Sequence, residues 1–225
     1  MSEDFSLKPQ CIKLGGITPF TATDFPGQLA CVFFCQGCPW RCRYCHNPQL
    51  LKTKSEKGWD WEQALYFLRT RKKLLDAVVF SGGEPLLQKE LKKAISDVKN
   101  LGFKVGLHTG GAFPNHLKQV LPLLDWVGFD IKAPFASYEK ITQIKGSGDQ
   151  ALQSFYQIAS SSVDVQLRTT VHPNLLSQEN LNSINQEIQQ VLRTSHRTLD
   201  NTPWILQSFR PQGCTDVSLR YTQTN

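Results

Sequence analysis

LACVFFCQGCPWRCRYCHNP, residues 29–48, is the stretch from which the rest of the chain can be read. Leu29 to Phe34 is almost wholly apolar and rich in Val and Phe, the composition of a buried strand. A loop broken by Gly37 and Pro39 comes directly after it. Two registers share one C-x3-C-x2-C spacing: Cys31, Cys35, Cys38 and Cys38, Cys42, Cys45. An extended run of four residues spans about 13 Å, so thiols on Cys31 and Cys35 are too far apart to share a compact metal group. The second register lies where the backbone can wrap around a small object. Cys38, Cys42 and Cys45 are therefore the expected ligands, and Cys31 and Cys35 the expected small core hydrophobes.

Working outward, short apolar runs like the first recur: Asp76 to Phe80, Lys104 to His108, Trp126 to Ile131, Val165 to Val171 and Trp204 to Phe209. Near-continuous Val, Ile and Phe content suits strands buried on both faces of a parallel sheet. Helical spacing appears between them. Trp61, Leu65 and Leu68 follow Asp60. Leu91, Ala94, Ile95 and Val98 lie within Gln88 to Lys99. Leu181, Ile184, Ile188, Val191 and Leu192 form a stripe after Ser177, a fitting N-cap. About six strand–helix units predict an α/β fold with right-handed crossovers. They are too few for a closed eight-stranded barrel. A partial (β/α)6 barrel of parallel strands is the expected architecture, with an open doubly wound sheet equally compatible with the pattern alone. Either places its ligands at the C-terminal strand ends, where the Gly, Cys and polar clusters of this sequence fall.

The 225 residues, 40% hydrophobic and 20% charged, have an ordinary globular composition. A single domain is expected over 1–225, with an N-terminal extension of about 1–15 and a core of about 16–212. The net charge of +6 is mild. Its basic residues read as solvated helix faces, or as a docking surface for an acidic partner. No nucleic-acid signature accompanies them. MSEDFSLKPQ does not resemble a secretory signal, and no run reaches the roughly 18 apolar residues of a membrane span. A cytoplasmic protein is expected. Seven cysteines, five of them between Cys31 and Cys45, then suggest metal binding rather than disulfides.

Three thiolates leave a four-coordinate site incomplete. Either His46 completes a structural zinc site, or the trio holds a [4Fe-4S] cluster with one iron left open.

C-x3-C-x2-C with an aromatic residue before its last cysteine, here Tyr44, resembles the radical S-adenosylmethionine (SAM) superfamily. The wider stretch DFPGQLACVFFCQGCPWRCRYCHNP, residues 24–48, resembles the activating enzymes of glycyl-radical enzymes, in particular those serving anaerobic ribonucleoside-triphosphate reductase. The similarity runs from about Gly16 to Cys214. It implies a [4Fe-4S] cluster on Cys38, Cys42 and Cys45, S-adenosylmethionine as cofactor, and Tyr44 beside it.

The second strand ends in Ser81-Gly82-Gly83-Glu84-Pro85. Glycines let a ligand approach the backbone closely, and the Glu84 carboxylate can accept from an ammonium group. The segment also fits an ordinary strand-to-helix turn. GGEP resembles the superfamily segment that holds the SAM amino group. The third strand ends in His108-Thr109-Gly110-Gly111, where pyruvate formate-lyase activating enzymes usually have Asp-Thr-Asn-Gly. Thr109 is therefore the expected contact. Alternation puts Asp130 and Lys132 on one face, as a structural salt bridge or as contacts to the SAM carboxylate and ribose. D-x-K recurs in the activating enzymes. Arg168, Thr170 and His172 share a face of the fifth strand. Arg168 and His172 are expected to bind the cofactor, with a buttressing role for Arg168 equally open. Gln207 is expected near the adenine end.

The resemblance implies that a one-electron donor such as a flavodoxin reduces the cluster. Cleavage of SAM then gives methionine and a 5′-deoxyadenosyl radical, which takes hydrogen from a glycine Cα of a partner enzyme. A short chain without an appended domain is expected to leave a lateral opening for that partner. The alternatives are a radical SAM enzyme acting on a small molecule or nucleoside, such as a deazaguanine precursor, and a zinc-stabilised binding module.

Overall fold

The computed structural model describes residues 12–54 and 58–220. Cys11 and most of the expected extension at about 1–15 lie outside them. Seven strands form one sheet: β1 (Leu14–Thr21), β2 (Ala30–Cys35), β3 (Ala77–Gly82), β4 (Lys104–Thr109), β5 (Trp126–Asp130), β6 (Asp164–Val171) and β7 (Trp204–Ser208). They pair in chain order. β2 to β7 are parallel and β1 runs antiparallel to β2. A doubly wound sheet reverses its strand order at a switch point. This one never does, so the partial barrel is the architecture formed. Among the described residues no pairing joins β1 to β7, and the wall stays open between them.

β1 lacks a clear sequence signal. Its LGGITPFT contains two glycines and a proline, and its pairing with β2 is interrupted by register shifts at Leu14/Gly16 and Thr18/Thr21. Gly and Pro inside a strand mark such irregularities.

Among the described residues six α-helices accompany the strands: α1 (Trp61–Arg69), α2 (Leu91–Asn100), α3 (Pro114–Val120), α4 (Glu139–Thr142), α5 (Ser147–Ala159) and α6 (Gln178–Thr194). α1, α2 and α6 match the apolar stripes of the sequence. α5 has an apolar stripe of its own in Ala151, Phe155, Ile158 and Ala159, and it also buries Ser147, Gly148 and Ser154, which dilute the pattern.

α6 begins with a reciprocal cap. Ser177 Oγ accepts from Asn180 N at 3.2 Å, and Asn180 Oδ1 accepts from Ser177 N at 3.0 Å. Ser177→Ala should lower stability by about 1 kcal/mol and Tm by about 2–4 °C for a chain of this size. Thermal unfolding checks this, and an unchanged Tm would show that the cap contributes nothing.

The alternation of β2 sorts its side chains between two cores. Cys31, Phe33 and Cys35 face the helices, in one cluster with Trp61, Leu65 and Ile95. Ala30 and Val32 face the barrel interior with Phe25, Ala77, Val79 and Trp126. Phe25 stacks on Trp126 at 5.3 Å and plugs the interior at the N-terminal ends of the strands. The opposite end is left open and polar.

Candidate active site

That open end is a pocket of about 240 Å³. Cys38, Cys42 and Cys45 line it, with Tyr44, Gly82, Gly83, Glu84, Thr109, Asp130, Lys132, Arg168 and Gln207. Cys31 and Cys35 are fully buried on the helix-facing side of β2 instead.

The cysteine loop is fastened from both sides. Arg41 N donates to Thr142 O at 2.9 Å and Arg43 N to Ile141 O at 3.0 Å. Across the pocket the glycine turn holds its other flank. Gly83 N donates to Cys35 O and Glu84 N to Gly37 O, both at 2.9 Å. The two segments are therefore one unit. Burial pushes the Cys38 thiol up to about 12, with Glu84 adding to the rise, and the Cys42 thiol up to about 11 despite Lys132. Burial raises Cys45 as well. Metal binding must displace these protons, and the metal's charge supplies the stabilisation that the protein alone does not.

Glu84 is not the free acceptor that its motif suggests. Its Oε1 accepts from Thr109 Oγ1 at 2.7 Å and Leu86 N at 3.1 Å, and Oε2 accepts from Gly110 N at 3.1 Å. The side chain is buried, and burial raises its pKa against these three bonds. Its carboxylate clamps the end of β3 to the end of β4, and Thr109 is tied into the same clamp. Gly110, where the resemblance calls for Asn, has its own reason. A Cβ there would fall on Cζ3 of Trp40.

A charged chain crosses the pocket floor. Arg168 Nε donates to Asp130 Oδ1 at 3.0 Å, and Lys132 Nζ sits 3.4 Å from Oδ2. Burial works to raise the Asp130 carboxyl, but Arg168 and Lys132 hold it down at about 2. Burial likewise works to lower Lys132, yet Tyr44, Asp130 and Cys42 keep it well above the ordinary lysine range. Its ammonium lies 5.9 Å from the Trp40 ring and 5.8 Å from the Tyr44 ring, the range of cation–π attraction. His108 Nε2 lies 2.9 Å from Asp24 O and 3.0 Å from Arg168 Nη1. Burial and Arg168 push its pKa down to about 3, so the ring is neutral near pH 7. Arg168 thus both buttresses the sheet ends and faces the pocket.

His172 does not join the others. It stands one residue past the end of β6, where strand alternation no longer governs direction. Its Nε2 donates to Leu219 O at 3.0 Å and its Nδ1 accepts from Asn174 N at 3.1 Å. The ring tethers the C-terminal segment. Asp24 and Trp40 also line the pocket, and neither is a candidate on sequence grounds alone. Both sit inside the stretch that carries the resemblance, Trp40 between Cys38 and Cys42, and that position is the signal that could have found them.

The donor set fits an iron–sulfur cluster. Three soft thiols share one pocket, and the buried indole N–H of Trp40, which lines the same pocket, has no partner among the described residues. The sequence model of the radical SAM superfamily matches residues 32–199. The chain belongs to the radical SAM superfamily. Its members use a [4Fe-4S] cluster and S-adenosylmethionine, which sets aside the zinc-stabilised binding module and makes this protein a radical SAM enzyme.

Among its relatives, the pyruvate formate-lyase-activating enzyme of Clostridium pasteurianum is 32% identical over 180 residues, covering 76% of this chain and 74% of that one. A Methanocaldococcus jannaschii protein assigned by name to the glycyl-radical enzyme activating enzymes is 27% identical over 217 residues, covering 92% and 84%. Among solved structures, Streptococcus suis SuiB bound to its precursor peptide SuiA superposes with TM-score 0.64 at 12% identity over 84% of this chain. The enzyme spans only 41% of that SuiB chain. Escherichia coli QueE gives 0.51 at 16% identity over 88% of this chain and 84% of its own. At such identities the structural matches speak for the fold alone. No helix among the described residues is long and apolar enough to cross a membrane.

Proposed function

We propose that this radical SAM enzyme activates a glycyl-radical enzyme, with anaerobic ribonucleoside-triphosphate reductase as the partner that the cysteine-loop resemblance favours. The observation that carries this reading is the 32% identity to an activating enzyme across three-quarters of the chain. In this reading Cys38, Cys42 and Cys45 hold the cluster. Gly82, Gly83, Thr109, Asp130, Lys132, Arg168 and Gln207 form the SAM pocket, and Glu84 shapes it from behind. Bound together, the two cofactors supply a primary carbon radical from one incoming electron, for which a flavodoxin-type protein is the proposed donor.

The residues of the chain position and shield. Lys132 and Arg168 place positive charge where a carboxylate can lie. The aromatic walls of Trp40 and Tyr44 keep water from the cysteine loop. The open side between β1 and β7 suits a protein substrate, because β7 is exposed along Ile205 to Ser208 and Gln207 reaches from it to the pocket. A glycine on an extended loop can enter there, and its Cα radical is stabilised by the flanking peptide groups.

The test is to mix reduced, reconstituted enzyme and SAM with anaerobic ribonucleoside-triphosphate reductase, and separately with pyruvate formate-lyase, and to record EPR spectra. A glycine-centred doublet on the reductase is expected. SAM cleavage without a doublet on either protein would contradict the reading and point to a small substrate.

A further inference from the structure

We propose that the indole N–H of Trp40 donates a hydrogen bond to the sulfur shell of the iron–sulfur cluster and helps to set its reduction potential; this rests on the site assignment above. Trp40 stands between Cys38 and Cys42, is 2% exposed, and lines the pocket of the three thiols. Among the described residues its buried Nε1 has no acceptor. A buried donor left unsatisfied costs about 1–3 kcal/mol, and such a group in a native fold calls for a partner outside the protein's own atoms. The indole side chain has no other donor to offer.

The ring is held in place. Its benzo edge fills the space that a side chain at Gly110 would need, Tyr138 packs edge-on with centroids 5.9 Å apart, and the Lys132 ammonium stands over its face. Nor do the neighbouring carbonyls want for donors. Cys38 O and Trp40 O accept from Arg41 Nη1 at 2.7 and 2.9 Å. Loading brings sulfur acceptors, the thiolates of Cys38 and Cys42 and the sulfides they help to hold, and Trp40 stands between those two cysteines in the chain, which favours them over the oxygen and nitrogen acceptors of S-adenosylmethionine. Hydrogen bonds to cluster sulfurs tune the potential. A donor stabilises the reduced, more negative state and raises it.

The experiment uses reconstituted full-length enzyme grown with ¹⁵N-indole tryptophan. Of the five tryptophans, Trp40 alone lines the pocket, so a ¹⁵N hyperfine coupling in the pulsed EPR of the reduced cluster reports on it. That coupling is expected, and it should vanish in Trp40→Phe. Replacing Trp40 with 3-benzothienylalanine keeps the bicyclic shape and removes only the N–H. With iron content unchanged, its midpoint potential should be more negative than wild type. Absence of the ¹⁵N coupling, or an unshifted potential in the benzothienyl variant, overturns the proposal. A wild-type protein with no cluster signal at all would fault the site assignment and take the proposal with it.

Discussion

Cys42→Ala is expected to lose iron, SAM cleavage and activation together, whereas Cys31→Ala keeps all three. The two cysteines belong to overlapping motifs of identical spacing, and spacing alone cannot tell which motif is the ligand set. Their surroundings do. Cys31 is fully buried in β2, facing α1 across the main core, and its pKa is pushed to about 12 by burial. Its loss should cost about 1–2 kcal/mol of stability, the common range for a core truncation. Cys42 lies on the loop and lines the pocket. Removing even an outer partner of a metal ligand typically costs about 10- to 100-fold in affinity or activity, so deleting a ligand should exceed about a hundredfold. Iron and sulfide content, with 5′-deoxyadenosine formed under dithionite, measure both variants. Equal loss in the two would mean that the ligand register is misassigned.

Gly83→Val is expected to damage cluster and cofactor binding at once. From sequence, this change should weaken SAM binding and leave iron content near normal. The structure revises that expectation. A Cβ at position 83 would overlap Gly37 O, lie 2.7 Å from Gly37 C, and crowd Leu50 O at 3.1 Å. All of these are backbone atoms and cannot swing aside. Gly37 adjoins Cys38, the proposed ligand, and is bonded to Glu84 N and Leu50 O. Relief must therefore move the cysteine loop. Overpacking of this kind costs about 1–3 kcal/mol or more, or about 5- to 150-fold in affinity. SAM affinity should fall by at least that much, with a parallel fall in iron retained after reconstitution. Normal iron content with weakened SAM binding would show that the turn and the loop are not coupled.

The parts of this molecule legible in its sequence are those set by near neighbours. The strands β2 to β5 appear as apolar runs, because both of their faces are covered. The placing of Cys38, Cys42 and Cys45 on the pocket and of Cys31 and Cys35 in the core can be read from where a strand stops and Gly37 and Pro39 begin. The features that stayed hidden depend on distant partners. Glu84 reads as an open acceptor until Thr109, 25 residues on, is seen to occupy its Oε1. His172 reads as a pocket residue until Leu219, 47 residues on, captures its ring. Gly110 reads as a departure from a motif until Trp40 is found filling its side-chain space. β1 was hidden for a local reason, since its glycines and proline erase the strand signal.

The central claim is that Cys38, Cys42 and Cys45 hold a four-iron cluster with one corner left for S-adenosylmethionine. Anaerobic reconstitution with iron and sulfide, then dithionite and SAM, tests it in one tube. A brown protein carrying about four irons, whose reduced EPR signal shifts on SAM addition and which releases methionine and 5′-deoxyadenosine, is the predicted result. A colourless protein that retains one zinc per chain and leaves SAM intact would contradict it.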